Sequence, residues 1–184
     1  MKSLILIASA LLSFASFAQE VNNLAISPVK AIEKSSYALD KLAQKKQIDP
    51  SYLTDIMTVT IEVVNSQYVL TMLAPSNDIN NNNKLVMILD GSGKMVSATP
   101  TFIGKNEKSP IFSKISVATI LDLGAETIVD HLSESTDMPV VAKTTKFLQI
   151  EATTSGPLLH FNLNDSRVYH VQMDNNGTVT KKGF

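Results

Sequence analysis

The stretch Leu85-Val86-Met87-Ile88-Leu89-Asp90-Gly91-Ser92-Gly93-Lys94-Met95-Val96-Ser97-Ala98 decides how this chain reads. An apolar run meets an Asp-Gly-rich tetrapeptide, and a second short run leaves it. Asp bonds its own backbone and Gly accepts positive φ, so the stretch is a β-hairpin with a tight turn. The pattern returns near the C-terminus: Val168 to Met173, the turn Asp174-Asn175-Asn176-Gly177, then Thr178 to Thr180. The two turn aspartates lie 84 positions apart (174 − 90). This spacing predicts two copies of one helix-plus-sheet unit, each closing on its hairpin.

Working outward, the segment before each hairpin carries a helix. Ser27-Pro28 opens the first, because Ser caps an orphan N–H and Pro suits the first helical position. Val29, Ile32, Leu39, Leu42 and Ala43 make its apolar stripe, and Lys41, Lys45 and Lys46 suit its negative end. Asp49-Pro50 predicts a short second helix over residues 51–55. Met57 to Val64 alternates as a strand, Asn65-Ser66 turns, and Gln67 to Ala74 is the next strand, stopped by Pro75. Ser76 to Asn83, with four consecutive asparagines, reads as an exposed loop. Thr99 to Ser109 reads as the connector between units.

The second unit has the clearest helix, with Val117, Ile120, Leu121, Gly124, Ala125, Ile128 and Leu132 at 3.6-residue spacing. Strands are predicted from Val140 to Ala142, around Phe147, Ile150 and Ala152, and from Leu158 to Leu163, before the closing hairpin. The two Ser-Pro pairs, Ser27-Pro28 and Ser109-Pro110, stand 82 apart (109 − 27), close to the hairpin offset. The expected fold class is therefore α+β, two tandem helix-plus-antiparallel-sheet units over residues 19–100 and 101–184, behind a targeting segment over residues 1–18.

That segment has a basic Lys2, an apolar core from Leu4 to Leu12 and a small-x-small Ser16-Phe17-Ala18, so cleavage is expected before Gln19. The apolar run is short for a membrane span, which needs roughly 20 residues. The expected location is the periplasm or the exterior. The chain has no cysteine, which excludes disulfides, thiolate metal sites and lipid attachment at a cysteine. Without residues 1–18 the chain keeps 15 basic and 17 acidic residues, a net charge of −2. That balance argues against a nucleic-acid partner.

A signal-like start followed by helix-plus-sheet units resembles the PepSY domains, whose closing hairpin often reads Asp-x-x-Gly, as Asp90 to Gly93 and Asp174 to Gly177 do. The tandem arrangement is also similar to the β-lactamase inhibitory protein, though that protein's disulfides have no counterpart here. The first resemblance implies peptide binding or peptidase regulation. The second implies occlusion of an enzyme by a sheet face. Neither carries over a functional residue.

Catalytic chemistry finds little support. No Gly-x-Ser-x-Gly turn is present. Asp90 to Lys94 lacks the spacing of a phosphate loop and is followed by a strand. Asp78 to Asn83 is rich in oxygen but lacks the spaced carboxylates of a calcium loop. Asn164-Asp165-Ser166 and Asn176-Gly177-Thr178 fit glycosylation sequons and are equally ordinary turns. The strand methionines read as core filling. His131 falls on the apolar stripe of the second helix, where the helix pole favours it. His160 and His170 stand five positions either side of Asp165, so a hairpin there makes them face each other. Two imidazoles alone fall short of the three or four protein ligands usual for zinc. No catalytic, cofactor-binding or metal residue is therefore assigned. The expected function is an exported non-catalytic binding or inhibitory module for a protein or peptide partner, the alternative a small-ligand or metal-binding carrier. The loops over residues 75–83 and 99–109 are its contact candidates.

Overall fold

The structure, a computed structural model, describes residues 24–105, 110–141 and 144–184. The expected targeting segment lies outside these residues. Helix α1 spans Pro28–Gln44 and α2 spans Val117–Glu134. Strands β1 (Asp55–Ile56) and β6 (Ile111–Phe112) pair as a small two-stranded sheet. The main sheet holds β2 (Thr58–Val64), β3 (Gln67–Ala74), β4 (Asn81–Leu89), β5 (Met95–Gly104), β7 (Lys146–Thr153), β8 (Gly156–Asn162), β9 (Val168–Met173) and β10 (Val179–Gly183). Its spatial order is β10-β9-β8-β7-β2-β3-β4-β5, antiparallel throughout. The protein is α+β.

Each helix follows from its sequence. Ser27 Oγ accepts the Lys30 N–H at 3.2 Å, with Pro28 in the first turn. Ser116 Oγ accepts the Thr119 N–H at 3.2 Å. The predicted apolar stripe of α2 is buried from Val117 to Ile128, with Leu132 partly so. Gly124 lets α2 approach the sheet, since a Cβ there would lie 2.4 Å from Leu159 Cδ2. Alternate strand residues complete one core beneath both helices, among them Val59, Ile61, Leu70, Met87, Leu148, Phe161 and Val171.

Between the helices Ser36 Oγ donates to the Ala118 carbonyl at 2.8 Å, while the neighbouring Ser35 hydroxyl is buried without a partner. Ser36→Ala is therefore expected to cost about 1 kcal/mol in urea unfolding. Ser35→Ala should leave stability unchanged or raised, because it removes an unpaired polar group.

The two hairpin turns share their bonding. Asp90 Oδ1 accepts the Ser92 and Lys94 N–H groups at 2.9 and 3.0 Å. Asp174 Oδ1 accepts those of Asn176 and Thr178 at 2.8 and 2.9 Å. Gly93 and Gly177 take φ of +79° and +87°. A Cβ on Gly93 would meet Ile26 and Lys34, and one on Gly177 would meet Ile115 and Leu123. Ala25 N–H donates to the Gly91 carbonyl and Lys114 N–H to the Asn175 carbonyl, each at 2.8 Å.

These turns carry a pH prediction. Backbone and side-chain donors hold the Asp90 and Asp174 carboxyls below the usual range, Ser92 Oγ being the largest influence on Asp90 and the Thr178 N–H on Asp174. A carboxyl lowered on folding stabilises above its unfolded value, about 3.9, and loses that contribution as pH falls through the folded value. Melting temperature should thus fall below about pH 4, and Asp90→Asn with Asp174→Asn should flatten that fall.

Several expectations are corrected. Pro110 leads into β6, and the second helix opens at Ser116, so the Ser109-Pro110 pair does not mark its start. The like-for-like helix-cap offset is 89 (116 − 27), not 82. The expected connector from Thr99 is strand β5 through Gly104, and residues 106–109 lie outside the described residues. Asn81 to Asn83 belong to β4, and Asn82 is buried. Only residues 75–80 remain as loop. The short helix is a 3₁₀ turn over Pro50–Leu53. In place of a strand from Val140, Pro139 makes a single bridge to Leu163; Ala142 lies outside the described residues.

Candidate functional site: the uncovered sheet face

Alternation that buries one set of side chains beneath the helices presents the other set on the opposite face. Register fixes which residues these are. Thr99, Val86, Thr71, Thr60, Gln149, His160, His170 and Gly183 are successive partners across all eight strands. From Val86 to His170 every member is partly exposed, and Thr99 on the edge is open. In β3 and β4, Val69, Leu73 and Ile88 add partly exposed apolar surface on the same side. Among the described residues no helix lies over this face.

The edges of the sheet are poor templates for a further strand. Pro100 interrupts the donors of β5, and β10 carries Lys181 and Lys182.

His160 and His170 are direct cross-strand partners on the uncovered face. Their Nδ1 atoms are 3.0 Å apart and their rings stand nearly perpendicular, at 85°. His160 Nε2 is buried without a hydrogen bond, and its nearest carboxylate is Glu151 Oε2 at 3.7 Å. Burial, then the neighbouring His170, pushes the His160 pKa down, against a smaller opposing pull from Glu151. Sequence reasoning found the two histidines and missed Glu151. Its signal was the alternation of β7, which puts Gln149 and Glu151 on the histidine side.

His131 has a different setting. Its ring stacks on Tyr169 at 4.1 Å, and Phe184 stands edge-on to both at 5.5 Å. The Arg167 guanidinium lies over Phe184 at 3.9 Å and binds Asp137 at 2.6 Å, with Asp165 as a further partner. Asp137 Oδ2 is 3.7 Å from His131 Nε2. The cluster fastens the end of α2 to β9 and to the C-terminal residue.

The other sequence candidates are occupied by their own turns. The Ser92 and Lys94 amides that would meet a phosphate already bond the Asp90 carboxylate. The Asp78 carboxylate accepts from Asn80 N–H and Asn81 Nδ2, at 2.8 and 2.7 Å. Among the described residues no group of three or more His, Cys, Asp or Glu side chains is placed to hold a metal ion. Two shallow cavities of about 470 and 480 Å³ flank Pro110 and Phe112.

No family model matches the chain, and no curated protein matches it. Among solved structures it is similar to a chain titled "putative lipoprotein" from Clostridium difficile 630. Identity is 15%, the TM-score is 0.41, and the match covers 79% of this chain and 89% of that one. A likeness that loose assigns neither fold nor function. Among the described residues no helix is long and apolar enough to cross a membrane.

Proposed function

We propose that this chain is an exported, non-catalytic binding module of two tandem helix-plus-sheet units, which docks a protein or peptide partner on its uncovered sheet face. The observation that carries the reading is that face, continuous across eight strands and lined by mixed apolar, polar and charged side chains, among them Val86, Thr71, Thr60, Gln149 and His170. Such a surface offers area for contact, and the titratable side chains it brings together are His160, His170 and Glu151.

The tandem reading is supported by equivalences at constant offset. Ala25, Ile26, Ser27 and Lys34 correspond to Lys114, Ile115, Ser116 and Leu123, each 89 positions on (114 − 25). Each member of the first set contacts the first turn or caps α1 as its counterpart does in the second. That β5 continues to Gly104 supports a join between the proposed units after that residue. Export rests on the composition of residues 1–18, and peptidase regulation is what the PepSY resemblance adds as a partner class.

Photo-cross-linking in the exporting cell tests the docking claim. A photoreactive phenylalanine at Thr71 or Val86 should capture one protein or peptide, while the same probe at Asp122 or Glu126, on the exposed side of α2, should not. Capture from α2 alone, or from neither surface, contradicts the reading. A second reading, a metal-binding carrier, is favoured by one observation, the convergence of His160 and His170.

A further inference from the structure

We propose that His160 and His170 form a two-imidazole site for a late first-row divalent cation, of which Cu(II) and Ni(II) suit the geometry best. It rests on the second reading above, a metal-binding carrier, and the pair shares its sheet face with the proposed docking surface. A metal bound to both Nδ1 atoms at about 2.05 Å, with the observed separation of 3.0 Å, makes an N–metal–N angle of about 95°. Tetragonal Cu(II) and Ni(II) place neighbouring ligands near 90°. A tetrahedral Zn(II) needs the nitrogens about 3.3 Å apart. The nitrogen separation therefore matches the bite of the tetragonal ions, and turning the two rings, with both strands in place, brings the lone pairs onto one cation.

The surroundings suit a metal-bound imidazole. A ligating histidine usually presents its second ring N–H to a carboxylate. Glu151 stands on that side of His160, beside the buried Nε2 that has no hydrogen bond. The carboxylate favours the proton on His160 Nε2, which leaves His160 Nδ1 as an acceptor. The present 3.0 Å contact then takes its hydrogen from His170 Nδ1. Binding needs that proton moved from Nδ1 to Nε2 of His170 and both rings turned until their Nδ1 lone pairs meet at a cation off the present N···N line; the total proton count is unchanged. Gln149, the partner of His160 on β7, has its amide N–H₂ on Glu151 and holds that carboxylate in place. Exposure of the face leaves the remaining coordination positions to water or to a donor from outside.

One further comparison separates this pair from scaffold. Under the offsets above, His160 and His170 correspond to Thr71 and Val86, which are also direct partners. The framework is satisfied there without an imidazole, so the histidines belong to the second half only.

The test is titration of the purified protein with Cu(II) and Ni(II) near neutral pH, with electron paramagnetic resonance of the copper form. The expected result is one saturable site per chain, two-nitrogen hyperfine structure, and weakening of roughly tenfold or more in both His160→Gln and His170→Gln. His131→Gln should bind as the unaltered chain does. Because the resonance spectrum is read on the unaltered protein, the test survives if a variant folds poorly. Binding that persists in the double variant, a spectrum without two imidazole nitrogens, or no saturation below about 1 mM overturns the site. Those outcomes leave the cross-linking test of docking untouched.

Discussion

Phe147→Ala is expected to destabilise the protein by about 3–5 kcal/mol, read as a lower urea midpoint in one cooperative transition. Phe147 is fully buried near the start of β7, where β7 pairs with β2. A register shift between Ile61 and Glu62 places both Phe147 and Leu148 inside, although neighbours in a strand normally face opposite ways. The ring stands edge-on to Tyr68 of β3, with centroids 5.9 Å apart. Tyr68 in turn donates its hydroxyl to the Ile26 carbonyl ahead of α1, and burial pushes its pKa up to about 12. Truncation therefore opens a cavity at the centre of a core that draws on both halves, with little freedom to collapse. A loss under about 1 kcal/mol, or two separate transitions, would mean that the halves do not share that core.

Gly156→Val should cost about 3 kcal/mol or more, summing backbone strain and overpacking. Gly156 opens β8 with φ of +122°, a conformation nearly confined to glycine. A Cβ there would lie 2.4 Å from the Met173 carbonyl oxygen and 2.9 Å from the Asp174 carbonyl carbon. Both obstacles are backbone at the start of the closing turn, so no rotamer change relieves them. Gly104 is the control: nothing lies within 4 Å of its Cβ position, and Gly104→Ala should stay within about 0.5 kcal/mol. Equal melting temperatures for the two variants would refute the assigned backbone.

What the sequence disclosed follows the reach of each signal. The Asp-x-x-Gly turns and both apolar stripes were readable because turn chemistry and helical period act within a few residues. The misreadings fall where tertiary pairing overrides composition. Thr99 to Gly104 is polar and contains Pro100, which reads as loop, yet an edge strand tolerates a missing donor. Asn81 to Asn83 are poor strand formers, held by Ala74 on one side and by Phe102 to Gly104 on the other. The β2–β7 pairing that makes a single sheet joins segments about ninety residues apart and leaves no local trace. His160 and His170 were found by counting outward from a turn. Glu151 came into view only with the register of β7.

One continuous sheet, with one face uncovered among the described residues, is directly measurable because the chain has no cysteine of its own. Single cysteines placed in turn at Val86, Thr71, Thr60, Gln149 and His170, and at the buried neighbours Met87, Leu70, Ile61, Leu148 and Val171, would be timed against an alkylating reagent. The first set should react readily and the second should be protected, with the alternation unbroken from Thr60 to Gln149. Uniform reactivity, or protection that reverses between those two positions, would contradict a single sheet with one open side.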